Sequence, residues 1–294
     1  MDKKVITALG TIAVGGLLFG TSAFAAITQP SGYDLYKEAL KNTKAVQSLT
    51  PMIELSVRDN GEEIFKVNSV TKLDKETKIS SSDIVFDVQN QQKNVDIFVN
   101  DGNTVVKSEG SDVYKMLKTN KEGFHKEGKY HGQGHLEDME SIIDALIGNI
   151  ETFINVSETS DGTRVIDLQL SENQISPVIN AVTSVAVKNM ADHSSKAVPV
   201  EGGFHDGITP ELPKLVKNIR VSKIDVKAEV NSENLIEEQA IFFEIIGEDA
   251  EGKSHELVVG VDAGFTDFNS TAPDKVDLTG QEVQQIKHEF KHPR

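Results

Sequence analysis

Between residues 52 and 107 apolar and polar side chains take turns. Ile53, Leu55 and Val57 are separated by Glu54 and Ser56. This period of two belongs to a strand with one buried face. Asp59-Asn60-Gly61 supplies hairpin turn chemistry. Further strands are expected at 64–73, 78–88, 95–100 and 104–107, the last two joined by Asp101-Gly102-Asn103. The pattern resumes at 153–157 and 164–170, which flank Ser160-Asp161-Gly162, and again at 219–230, 235–247 and 254–265. Segment 278–290 carries a weak edge-strand signal.

Three stretches keep helical spacing instead. In 33–47, Leu35, Tyr36, Ala39, Leu40 and Val46 fall near one stripe, and Ser31 can cap the start. Pro51 forbids continuation of that helix. In 136–149 the stripe is Met139, Ile142, Ile143, Leu146 and Ile147. The third is the clearest, with Ile175, Val178, Ile179, Val182, Val185, Ala186 and Met190 at three- and four-residue steps and Val187 widening the stripe. Pro177 sits near its start, where a missing amide does no harm, and Ser171 or Ser176 is the cap. Strands arrive in runs and do not alternate one by one with helices, so the class is α+β. Two long segments interrupt the pattern. Residues 110–134 read as irregular and polar, and 191–213 are rich in Pro and Gly, either a functional loop or a tolerated insertion. Neither half has both a complete sheet and its own helices, so 26–294 reads as one domain.

The first 25 residues have a different pattern. Lys3 and Lys4 precede an uncharged, mostly apolar run from Val5 to Phe19, and Ala23-Phe24-Ala25 follows. This is the order of a secretory signal with cleavage near Ala25, and the run is shorter than the ~20 residues that cross a bilayer as a helix. The expectation is a secreted or extracytoplasmic protein without a transmembrane segment in its mature part. The chain has no cysteine. That removes disulfides, thiol catalysis, zinc–thiolate sites and a lipid-modified cysteine at the mature terminus. Stability must come from core burial, which a chain of this length can supply.

A formal net charge of −16 argues against nucleic-acid partners, which need a basic surface, and against anionic lipid headgroups. No D-x-[DN]-x-[DN]-G loop, H-E-x-x-H, P-loop, G-x-G-x-x-G or G-x-S-x-G occurs. With so many acidic residues, a pair of carboxylates carries no weight as a glycosidase signal. The expectation is a non-enzyme without cofactor. His125, His131 and His135 form the densest histidine cluster and are candidate metal ligands, in a charged, glycine-rich stretch more typical of a surface loop.

The helix 32–46 running straight into a meander, Val95-Asp96-Ile97-Phe98-Val99-Asn100-Asp101-Gly102-Asn103, and Leu170-Ser171-Glu172-Asn173-Gln174-Ile175 entering the third helix together resemble the LolA/LppX-like superfamily of exported lipoprotein carriers and lipid-binding proteins. The resemblance covers most of 31–265 and is one of element order. It implies a large curved antiparallel sheet, a half-open β-barrel, with about three covering helices and an apolar cavity. Leu55, Val57, Val67, Ile97, Val99, Val182, Val185 and Leu257 are the positions expected to face that cavity. The long inserts at 110–134 and 191–213, and the acidity without a lipid anchor, depart from the carriers. The resemblance implies a binding protein for a lipid or other hydrophobic molecule. The competing expectation is a structural, sensor or protein-interaction module of the envelope with a filled core, its partner meeting a strand edge or the 191–213 loop.

Overall fold

The computed structural model describes residues 31–88, 91–100, 102–118, 151–194 and 212–286. The expected signal segment, helix 136–149 and the three clustered histidines lie outside these residues. Twelve strands form one sheet: β1 (Ser48–Asp59), β2 (Glu62–Asp74), β3 (Ile79–Val88), β4 (Gln91–Asn100), β5 (Asn103–Ser108), β6 (Val113–Lys118), β7 (Ile154–Glu158), β8 (Arg164–Ser171), β9 (Lys217–Val230), β10 (Ile236–Glu248), β11 (Ser254–Thr266) and β12 (Glu282–Ile286). Two α-helices are present among the described residues, α1 (Gly32–Ala45) and α2 (Pro177–Ser194).

The sheet order is β12-β6-β5-β4-β3-β2-β1-β11-β10-β9-β8-β7. The chain therefore starts in the middle with β1 and steps outward to β6. It then re-enters at the far edge with β7 and steps inward to β11, which pairs with β1 from Thr50↔Thr266 to Asp59↔Leu257. β12 returns to add beside β6 in parallel, while every other neighbouring pair is antiparallel.

This corrects the expected architecture. The α+β class stands, but among the described residues the sheet is open and mixed, with β7 and β12 at its edges, and does not form a barrel. Two of the about three expected helices are among the described residues, and the other, 136–149, lies outside them. Part of the segment expected to be irregular, 113–118, is β6. Pro51 ends no helix. It lies inside β1, opposite Phe265, and the β1–β2 register skips Thr50 and Pro51, where proline has no amide to give.

Turn chemistry accounts for the meander. Asn60 (φ 52) and Gly61 (φ 88) both take positive φ, which a two-residue type I′ hairpin requires. Ser31 caps α1 in a capping box with Asp34, whose amide donates to the Ser31 hydroxyl at 3.2 Å. At the other end of α1 the Lys75 ammonium donates to the carbonyls of Lys44 and Val46, 2.7 Å each. A cation there satisfies orphan carbonyls, and burial, with Lys44 nearby, holds the Lys75 ammonium below its ordinary value. For α2 it is Ser176 that receives the Ile179 amide, at 3.4 Å. Ser171 instead bonds Gln174 in the preceding 3-10 turn, Glu172–Gln174.

Both helices lie on the same face. α1 buries Ala39 and Leu40 against Ile166, Val230 and Ile236. α2 packs Ile179 and Val187 onto a cluster of Leu170, Ile175, Leu215, Val221, Ile224, Ile245 and Leu257. Leu170 and Leu215 are 1% exposed and Val221 0%. Apolar side chains thus occupy the space between helices and sheet. Gly32 marks the closest approach: a Cβ there would come within 2.6 Å of the Ile154 side chain.

One polar bond locks α1 to the sheet. The Thr43 hydroxyl donates to the Ala39 carbonyl and accepts the Ile236 amide, both at 2.8 Å and both buried. Thr43→Val keeps the shape and strands the Ile236 amide. It should cost about 1–3 kcal/mol, read as a drop in the urea midpoint with an unchanged slope.

Candidate functional site

The residues expected to line a cavity divide into separate groups. Leu55, Val57 and Val67 project from β1 and β2 into a packed cluster with Phe65, Val88 and Phe86. Leu257 is buried in the cluster beneath α2. Ile97 and Val99 are half-buried on β4. Val182 and Val185 are 47% and 60% exposed, because α2 turns Ile179 and Val187 to the sheet. A helix that is apolar nearly all round does not announce which side is inward.

The expected carrier of lipid or another hydrophobic ligand is thereby corrected. Its cavity would lie between helices and sheet, and there the side chains interlock. The half-open barrel that would hold a guest is replaced by an open sheet.

The opposite face has a different character. On it β1 places Met52, Glu54 and Arg58, β2 places Lys66, Asn68 and Val70, β10 places Glu238, Ala240 and Phe242, and β11 places Asp262 and Gly264. Neither helix packs on these residues. Chain segment 267–281 crosses this face near one end. Thr271 bonds Thr50 at 2.7 Å, the Asp274 amide donates to the Ser81 hydroxyl at 2.9 Å, and the Asp274 carboxylate pairs with Lys72 at 2.9 Å. This crossing carries the chain from β11 to β12.

Beside that crossing is an open depression of about 430 Å³. Its lining includes Met52, Val70, Ala240 and Gly264 at the floor and Glu54, Lys227, Glu229, Glu238 and Asp262 around them. The floor is low because Gly264 has no side chain and the Met52 methyl lies over it, 3.3 Å from where a Cβ would be. Met52 and Val70 are 42% and 43% exposed. Lys66 pairs with Glu54 at 2.8 Å and Lys227 with Glu229 at 2.6 Å. Burial, then the neighbouring Glu54, pushes the Asp262 carboxyl above its ordinary value, and Lys66 opposes this.

A second polar cluster closes one end of the β1–β11 seam. His255 is buried, with Nδ1 2.8 Å from Asp59 Oδ2 and Nε2 3.4 Å from Asp249 Oδ2. The Lys253 amide chiefly, then His255, holds the Asp249 carboxyl below the usual range. The carboxylates sit at opposite nitrogens of the ring, so they clamp two turns together and do not converge on a cation. Among the described residues no group of three or more His, Asp or Glu is placed to hold a metal, and no described helix is long and apolar enough to cross a membrane.

No protein-family model and no curated protein matches this chain. A solved structure, described as that of the ywiB protein from Bacillus subtilis, aligns over 76% of this chain and 96% of that chain at 6% identity, with a TM-score of 0.14. A likeness of that size carries no argument.

Two predictions follow from these geometries. Replacing His255 with Leu leaves two carboxylates facing an apolar group. The urea midpoint should fall, and Asp59→Asn in the same chain should recover part of the loss in a double-mutant cycle. The Asp262 carboxyl is raised above its ordinary value of 3.8, so the fold favours its neutral form. Its contribution is fully present below the unfolded-state value and is lost as pH rises through the raised one. Asp262→Asn should therefore raise Tm over wild type at pH 7, and the two curves should meet below about pH 3.8.

Proposed function

We propose that this chain is a non-enzymatic structural or protein-interaction module, exported to the cell envelope. The observation that carries this reading is the filled interior. Among the described residues, α2 is seated through Leu170, Leu215 and Val221, and α1 through Ile166, Val230 and Ile236, with apolar side chains of the two layers in contact. A protein that keeps its apolar interior for itself can present only surfaces to others. Two are available among the described residues. β7 has a neighbour on one side alone, and its positions Asn155 to Glu158 are exposed, so an extended partner segment could add to that edge. The helix-free face, with Met52, Val70 and Phe242 exposed, is the other. The signal-like first 25 residues support export.

Two measurements test the reading. Mass spectrometry of an organic extract of protein purified from its native host should show no stoichiometric lipid, and a bound lipid at one per chain contradicts the reading. Terminal sequencing of the extracellular protein should begin at Ala26, and a chain that keeps Met1 and stays in the cytoplasm contradicts export.

A further inference from the structure

Strand register brings one row of side chains together across the helix-free face. Glu238 of β10 lies opposite Gly264 of β11, Gly264 opposite Met52 of β1, Met52 opposite Val70 of β2, and Val70 opposite Asp83 of β3. Asp83 in turn faces Asp96 on β4. The row is acidic at both ends, with a gap and two exposed apolar side chains between. The neighbouring row adds Ala240, Asp262 and Glu54. From Glu238 to Asp83 there are four interstrand steps, roughly 19 Å.

The charges at the ends of this row have no direct partner within the described residues, although Lys66 partly offsets Asp262 and Lys227 partly offsets Glu238 from nearby. Lysines answer Glu54 and Glu229 directly, whereas Glu238, Asp262, Asp83 and Asp96 have no hydrogen-bonded or ion-paired partner there. Glu238 also faces Glu229 across the β9–β10 ladder, and like charges opposite one another destabilise a sheet. Burial and then Asp83 push the Asp96 carboxyl up, as burial and Glu54 do for Asp262. A fold that leaves apolar side chains exposed between crowded carboxylates is relieved by a ligand that brings cations at both ends and an apolar middle. A bare metal ion would leave Met52 and Val70 uncovered, and an acyl chain would leave the carboxylates unanswered.

We propose that this row docks a cationic amphipathic segment of a partner protein, its apolar side chains resting on Met52 and Val70 and its Lys or Arg groups reaching Glu238 and Asp262 at one end and Asp83 and Asp96 at the other. The proposal rests on the interaction-module reading and names the surface and the chemistry of the partner. The 19 Å span corresponds to a helical segment of about 13 residues. Complementary charge sets the encounter rate and the choice of partner, and the apolar contacts in the middle add the area-dependent part.

The probe is a labelled synthetic peptide of about 14 residues with two lysines at each end and a leucine–alanine centre, followed by fluorescence anisotropy against the full chain. Binding should weaken as salt is raised. It should fall by about tenfold or more in the Glu238→Gln, Asp262→Asn, Asp83→Asn triple variant, and also in Val70→Asn, whose exposed site leaves folding intact. An absence of binding at roughly 1 mM, equal binding of a peptide with glutamates in place of the lysines, or an unchanged affinity in the triple variant overturns the proposal. Cross-linking in envelope extracts of the native host separates it from the parent reading. Partners caught by wild type and lost by the triple variant support the docking row. Partners retained by the triple variant overturn the row and leave the module reading standing. No partner for wild type overturns both.

Discussion

The β1–β11 seam is the constraint on which the rest of the structure depends. One run of strands reaches from β1 out to β6, and the other from β7 in to β11, so without this ladder the sheet would fall into two halves. The seam also sets which side chains are neighbours. It places Val57 beside Val259 on the helix face and Met52 beside Gly264 on the other. A slip of one residue would turn Glu54 and Ser56 of β1 onto the face now held by Leu55 and Val57, and break the continuity of the apolar face across the seam. Devices at both ends of the seam hold the register. At one end the Asn60 amide donates to the Glu256 carbonyl at 2.9 Å, and His255 is clamped between Asp59 and Asp249. At the other, the Asn269 amide donates to the Ser48 carbonyl at 2.7 Å.

Once the register is fixed, the two faces have different fates. The helix face is filled by branched aliphatic side chains from β8, β9, β10 and β11, and close packing there leaves each layer little freedom. The other face is polar, laced by lysine–carboxylate pairs, and crossed by segment 267–281 on its way to β12. Exposed ion pairs of this kind add little stability. Their effect is to leave that face solvated, while Met52, Val70 and Phe242 interrupt it with apolar surface. Function, on this account, is a property of the solvated face and of the edges.

Much of the fold was legible in the chain. The period of two and the Asn60-Gly61 signal located the meander strands, because turn chemistry and face alternation are local. Ser31 and the Leu35–Leu40 stripe located α1 for the same reason. Features that depend on distant partners were not legible. β6 follows a charged turn, and Tyr114 and Met116 alternate with Val113, Lys115 and Leu117 too briefly to stand out. The parallel landing of β12 is decided by a crossover. Pro51 reads as a breaker, and only the skipped positions of the β1–β2 ladder explain how a central strand tolerates it. The stripe of α2 is broad enough to suit either orientation, so Val182 and Val185 could be counted as inward when Ile179 and Val187 are. The depression has no motif at all. Its residues come from separate strands, and register alone assembles them.

Amide hydrogen exchange along the seam tests the central claim most directly. If the β1–β11 ladder unites the sheet, the amides of 52–58 and 257–264 should be among the slowest to exchange, opening only with global unfolding, and the strands on either side should share that limit. Two separate limits, one for β1 to β6 and another for β7 to β11, with fast exchange at the seam, would contradict it.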